Sequence, residues 1–179
     1  SLTSQSALAL GSGDWTFECW AYLNLSALSG QQTIYDARNA SATAIISPAI
    51  YVDATNGYTL FVNGSAVITS TTAKVKLRVW QHLAISKISG TTKMFLDGVQ
   101  VGSSYTDGNT YVAGALRIGA ANNGAAASYW NGWISNLRLV VGGTGLYSTT
   151  FTPNTAPLTA VTNTKLLLTG TNGGVYGTD

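Results

Sequence analysis

Charge is what this chain has least of. Lys, Arg, Asp and Glu make up 9% of its 179 residues, against roughly 25% in an ordinary soluble domain. The nine Lys and Arg are scattered and the formal net charge is +2, so the electrostatic footprint of a nucleic-acid binder is missing. Cys19 is the only cysteine. That excludes an intramolecular disulfide and a thiolate metal cluster, and Cys19 reads as a small buried hydrophobe on a strand. His82 is the only histidine and Glu18 the only glutamate. No long uninterrupted apolar run occurs, which excludes a membrane-spanning helix. The opening stretch, SLTSQSALAL, has neither an initiator Met nor a basic segment. It does not read as a signal peptide and looks like the interior of a longer polypeptide.

What is present excludes disorder. Hydrophobic residues are 45% of the chain, with five Trp and nine Tyr, enough to build a core. A chain of this length buries roughly 70% of its unfolded surface. Gly, Ser, Thr, Asn and Ala stand where charges usually do. Such a neutral polar surface suits extracellular or virion proteins packed in symmetric assemblies.

The periodicity is that of strands. Trp15 to Leu23, WTFECWAYL, places Trp15, Phe17, Cys19 and Ala21 on one face and Thr16, Glu18, Trp20 and Tyr22 on the other. Large groups on both faces predict a central strand. A short strand is expected at Ala7 to Leu10, then Gln32 to Ala37, and Ala44 to Val52 with Pro48 marking an edge or bulge. Tyr58 to Val62 and Ala66 to Thr69 flank Asn63-Gly64, and Lys93 to Leu96 and Val99 to Val101 flank Asp97-Gly98. Both dipeptides suit hairpin turns with positive φ. Trp80 to Ile88 precedes the second hairpin, and Ser103 to Val112 reads as a polar loop. Ala115 to Ile118, Trp130 to Val141 and Leu166 to Leu168 complete about eleven or twelve strands. No window shows a helical period, so the expected fold is an all-β sandwich or barrel. Trp15, Trp20, Trp80 and Trp133 are assigned to its core.

Four segments in order, WTFECWAYL, WQHLAISKISGTTKMFLDGVQVG, LRIGA and WNGWISNLRLV, resemble the laminin G-like branch of the concanavalin A-like jelly-roll superfamily. With the following GLYSTTFTPNTAPLTAVTNTKLLL, the chain is most similar to the variant in large bacteriophage structural proteins. The resemblance runs from about Asp14 to Leu168 and implies two antiparallel sheets packed face to face, a concanavalin A-like jelly roll. The domain is expected over residues 1–168, with 169–179 a Gly-rich tail or the start of a following unit. Family units usually open with a strand like KLLL, whereas here it comes last. Either a segment outside this sequence supplies the first strand, or Lys165 to Leu168 closes the sheet.

The superfamily includes glucanases, and retaining hydrolysis needs two carboxylates about 5–5.5 Å apart. No acid partners Glu18 on its own strand, because Asp14 lies in the preceding turn. Glu18 is therefore expected to be a polar residue on the solvated or concave face, and the protein not to be an enzyme. His82 is expected to be a packed, hydrogen-bonded imidazole beside Trp80. Asp97 is explained by its turn. Laminin G-like domains often bind calcium through hard oxygen ligands. Candidate pairs are Asp36 with Asn39, Asp53 with Asn56 and Asp107 with Asn109, each equally explained as turn caps. Calcium near Asp36 and Asn39 is the one candidate cofactor.

A sugar site needs an aromatic ring and neighbouring polar groups. The two loops expected to supply one hold Tyr35, Asp36 and Arg38, and Asn122, Asn123, Tyr129 and Trp130. The leading reading is a non-enzymatic virion structural or adhesion domain in a tail fibre, baseplate or capsid decoration. Its expected partners are other virion proteins, further copies of itself as a trimer, and a host cell-surface glycan, without nucleic acid or membrane insertion. The alternatives are a carbohydrate-binding module of an extracellular or bacterial surface protein, and a glucanase.

Overall fold

The computed structural model describes residues 6–38, 47–112, 114–121 and 128–169. Eleven strands lie among them: β1 (Trp15–Leu23), β2 (Gln32–Asp36), β3 (Ala49–Asp53), β4 (Gly57–Val62), β5 (Ser65–Thr69), β6 (Trp80–Ile88), β7 (Thr91–Leu96), β8 (Val99–Thr106), β9 (Arg117–Ile118), β10 (Gly132–Val141) and β11 (Thr164–Leu168). They form a six-stranded sheet, β11-β10-β1-β6-β7-β8, and a five-stranded sheet, β5-β4-β3-β2-β9. Every ladder is antiparallel. This is the two-sheet jelly roll that the sequence implied.

Alternation decides what each sheet buries. From β1, Trp15, Phe17, Cys19, Ala21 and Leu23 enter the core with Leu83, Ile85, Met94, Leu137 and Leu139 of the same sheet. Ile34, Tyr35, Ile50, Val52, Tyr58, Leu60 and Ile68 meet them from the other sheet. Cys19 is buried as expected, and burial pushes its thiol far above the usual range, with the Glu18 charge adding to the effect. β1 lies between β10 and β6, the central position that its two apolar faces predicted.

Turn chemistry is also as read from the sequence. Asn63 and Gly64, and Asp97 and Gly98, all have positive φ. So do Ser89 and Gly90, a two-residue turn that lets β7 begin at Thr91, two residues before the expected Lys93. Asp97 Oδ1 also accepts the His82 backbone N–H at 2.9 Å. β11 pairs with β10, with Leu168 opposite Leu137. Lys165 to Leu168 therefore closes the sheet from its C-terminal side.

Several boundaries differ. Ala7 to Leu10 is not a strand: Ser6–Leu8 forms a single 3-10 turn, and only Gly11 bridges to another segment, at Tyr111. β3 starts at Ala49, directly after Pro48; residues 44–46 of the expected strand lie outside the described residues. Ser103 to Val112 is not wholly a loop. β8 runs on to Thr106, pairing Tyr105 with Thr92 and Thr106 with Thr91. Its polar side chains are exposed, as on an edge strand, while Val101 and Tyr105 pack on the core.

Candidate functional site

The outer face of the six-stranded sheet carries Thr16, Glu18, Trp20 and Tyr22 of β1. Residues 142–163, between β10 and β11, run across it as a strap. Leu146 N–H donates to Thr16 Oγ1 at 2.9 Å, and Lys93 Nζ donates to the Ser148 carbonyl at 2.8 Å. Phe151 N–H donates to the Gly98 carbonyl at 3.0 Å. Tyr147 and Phe151 stack with ring centroids 3.8 Å apart, and Phe151 packs edge-on against His82 and Phe95. Trp20 Nε1 donates to the Asn154 carbonyl at 3.0 Å.

Beneath the strap, Glu18 is fully buried, which corrects its expected solvated position. Arg138 donates to Glu18 Oε1 from Nε at 2.8 Å and from Nη2 at 2.6 Å. Tyr147 Oη donates to Oε2 at 2.8 Å, and His82 Nε2 lies 3.2 Å from the same oxygen. Burial alone would raise the carboxyl's pKa. The His82 hydrogen bond, the Arg138 charge and the Tyr147 hydroxyl outweigh it and hold the group below its ordinary value. Burial and the Glu18 charge raise the Tyr147 phenol well above the usual tyrosine range. The groups around Glu18 are a guanidinium, an imidazole and a phenol. The second carboxylate of a retaining hydrolase is not among them, and the strap closes the carboxylate off from substrate. His82 is buried and hydrogen-bonded as expected, but its ring meets Trp20 and Phe151; Trp80, two residues away, belongs to the next cross-strand row.

The strap stops short of one end of this face. There Trp80, Tyr22 and Trp133 form a row across β6, β1 and β10, with Tyr22 directly opposite both tryptophans. Tyr22 packs tilted against Trp80, at 5.5 Å between centroids, and against Trp133, at 5.2 Å. Trp80 is 43% exposed and Trp133 57% exposed. Of the four tryptophans assigned to the core, Trp15 is there. Trp20 is half-buried on the outer face, and Trp80 and Trp133 are on the surface. The physical reason is register: they share the parity of Glu18, not of Phe17.

Beside this row a cavity of about 270 Å³ is lined by Trp20, Trp80, Ser135, Asn136 and Thr155. Its polar lining owes its position to a bulge. The β1–β10 register shifts between Glu18 and Trp20, and Asn136 has a φ of 48°. Left-handed backbone at a residue other than glycine is uncommon and concentrates at functional sites. Bulges of this sort re-aim side chains. Asn136 Oδ1 accepts the Leu158 backbone N–H at 3.4 Å, tying the bulge to the strap.

The two loops nominated from the sequence fare differently. Tyr35 is buried against Phe17 and offers no face to a ligand, because its side chain points between the sheets. Asp36 is fully buried. It accepts Arg38 Nε at 2.9 Å and Nη2 at 2.6 Å, as well as the Arg38 backbone N–H. The Arg38 guanidinium lies over the Phe61 ring at 5.4 Å. Tyr129 is 62% exposed, whereas Trp130 is half-buried and packs against the core. Asn122 and Asn123 lie outside the described residues, as does Asn39. Trp130 N–H donates to the Gly119 carbonyl and Gly119 N–H to the Ile34 carbonyl, which sets the strand mouth beside β2.

Each candidate calcium carboxylate has partners within the chain. Asp36 is taken by a guanidinium. Asp53 Oδ1 caps its turn by accepting the Thr55 and Asn56 N–H groups. Asp107 accepts Thr92 and Tyr111 hydroxyls and the Asn109 amide, and Lys87 Nζ stands 3.6 Å away. No group of three or more His, Cys, Asp or Glu that could hold a metal ion occurs among the described residues.

A family model described as the concanavalin A-like lectin/glucanases superfamily matches residues 1–141. No curated protein matches the chain. Several solved structures share its fold. Domain 4 of AbnA, a GH43 extracellular arabinanase from Geobacillus stearothermophilus solved with arabinotriose, is 20% identical with a TM-score of 0.54. That match covers 77% of this chain and 65% of that one. Trypanosoma rangeli sialidase with 2,3-difluorosialic acid is 11% identical at a TM-score of 0.57, over 72% of this chain and 20% of the sialidase. The native heptameric SAP-like pentraxin of Limulus polyphemus is 17% identical at 0.50, over 73% of this chain and 65% of that one. The chain thus spans about a fifth of the sialidase and just under two thirds of the other two.

Proposed function

Since the chain belongs to the concanavalin A-like lectin/glucanases superfamily, we propose that it is a non-enzymatic carbohydrate-binding domain whose ligand seats on Trp80, Trp133 and Trp20. The observation that carries this reading is the uncovered row of rings beside a cavity with hydroxyl and amide lining. Aromatic faces shed water against the apolar side of a sugar ring, and Ser135, Asn136 and Thr155 are suited to its hydroxyls. The arabinanase domain solved with arabinotriose supports the same class of ligand for this fold. The buried, strap-covered Glu18 supports binding without turnover. A glycan array with wild type and Trp80→Ala tests the proposal. Binding by wild type that the variant loses is expected; an array without any wild-type signal would overturn it.

A second reading places the domain in a bacteriophage tail fibre, baseplate or capsid decoration, acting by assembly and by adhesion to a host glycan. It is favoured by the strap and β11, whose sequence resembles that of such proteins, and by the charge-poor surface. In that setting the domain is a homo-oligomer, a trimer by this reading, displayed on the virion beside other structural proteins. Mass spectrometry of purified particles tests it, and absence of the chain from particles would end it.

A further inference from the structure

Resting on the carbohydrate reading, we infer that the ligand is an extended, uncharged chain of β-linked pyranoses lying across the strands, with Asn136 as its specificity-determining residue. Three observations lead there. The first is spacing. Trp80 and Trp133 each sit opposite Tyr22 on neighbouring strands, which sets their Cα atoms about 10 Å apart. That is close to the disaccharide repeat of an extended β-linked chain, so the two indoles meet sugars separated by one unit. Tyr22, tilted at 58° and 67° to its neighbours, keeps the indoles apart as two surfaces rather than one stack.

The second observation is charge. The cavity lining is two indoles, a carboxamide and two hydroxyl-bearing residues. On the same face Glu18 and Arg138 are buried and paired with each other. The exposed cations Lys74, Lys76 and Arg78 precede Trp80 in the chain, and none lines the cavity. An acidic sugar would lose water from its carboxylate without gaining a paired charge.

The third is the bulge. A regular ladder needs no left-handed residue in the middle of β10, yet Asn136 adopts one and lines the cavity together with Trp20 and Trp80. A fixed carboxamide offers its Nδ2 donors and the second lone pair of the Oδ1 that accepts the Leu158 N–H, which suits a pair of adjacent hydroxyls.

Titration calorimetry of the full chain with cello-, xylo- and manno-oligosaccharides of increasing length, and with oligouronates of the same lengths, tests this. At least one neutral series should bind, weakly or not at all as a monosaccharide, with affinity rising to the third unit and then levelling. Trp133→Ala should lose about tenfold on the trisaccharide and little on the disaccharide. Asn136→Gly keeps the backbone permitted and removes the carboxamide. It should lose about tenfold, with the melting temperature lowered only by the loss of the long Leu158 N–H contact at 3.4 Å. Tighter binding of oligouronates, equal affinity for mono- and trisaccharide, or unchanged affinity in Asn136→Gly would overturn the inference while leaving a carbohydrate-binding domain in place. Failure of every glycan to bind, here and on the array, would overturn both.

Discussion

Replacing Glu18 by Gln separates a buried structural ion pair from a catalytic acid. In wild type the carboxylate takes two charge-assisted hydrogen bonds from Arg138, at 2.6 and 2.8 Å. Arg138 is itself buried, with the Thr159 carbonyl as its other hydrogen-bond acceptor. Gln retains a carbonyl for Tyr147 but leaves the guanidinium charge uncompensated beneath the strap. Breaking a buried pair in this way costs about 3–5 kcal/mol. Against a total stability of roughly 5–15 kcal/mol, that is a large fraction. Arg138→Met should cost a similar amount by stranding the carboxylate. The double variant should cost less than the sum of the two, with a coupling energy of about 1–3 kcal/mol. Urea denaturation measures all four proteins, and the m-value should stay constant if only stability has changed. A Glu18→Gln penalty below about 1 kcal/mol, or strict additivity, would refute the reasoning. A glucan-hydrolysing wild type that Glu18→Gln inactivates at unchanged stability would restore the enzyme reading.

The same cluster sets a pH dependence. Because the folded-state pKa of Glu18 lies below its ordinary value of 4.5, its stabilisation is full above that pH and is lost as pH falls through the folded value. Urea midpoints should therefore decline on acidification below 4.5, and Glu18→Gln should flatten that decline; parallel curves would contradict it. Gly98→Val tests strap docking: a Cβ there would lie 1.8 Å from the Phe151 carbonyl oxygen at a φ of 79°. Strain of about 1–3 kcal/mol, with loss of the Phe151 contact, should lower the melting temperature by several degrees, and an unchanged value would mean the strap does not rest on this turn. Asp107→Ala should cost about 3–5 kcal/mol by leaving the buried Lys87 charge only the Asn109 carbonyl at 3.1 Å, measured by chemical denaturation; a cost under about 1 kcal/mol would show that this carbonyl suffices.

The sandwich was legible because its signals are local. Asp97-Gly98 and Asn63-Gly64 name their own turns, and the alternation of WTFECWAYL names a two-faced strand. The site was not, because it depends on which parity faces which sheet. Trp20, Trp80 and Trp133 each sit in an apolar strand, and burial was the natural assignment. Only the pairing of β1 with β6 and β10 shows that they share the face of Glu18 and Tyr22. Alternation within WTFECWAYL did separate Trp20 and Tyr22 from Phe17 and Cys19, and that was the available signal. The strap was harder still. Nothing in GLYSTTFTPNTAPL announces that Tyr147 folds back onto Glu18, 129 positions earlier, or Phe151 onto His82 and Phe95, which is why Glu18 was expected on the solvated or concave face. Tyr35, by contrast, looked like a strand-end residue and is a core one, because Phe17 approaches it from the opposing sheet.

The most direct test of the central claim is glycan affinity of a Trp80→Ala/Trp133→Ala variant beside wild type, with melting temperatures measured on the same samples. Both indoles are exposed, at 43% and 57%, so the account predicts a fold of nearly wild-type stability that has lost its ligand. A wild type that binds glycan and a double variant that binds it equally well would contradict the account.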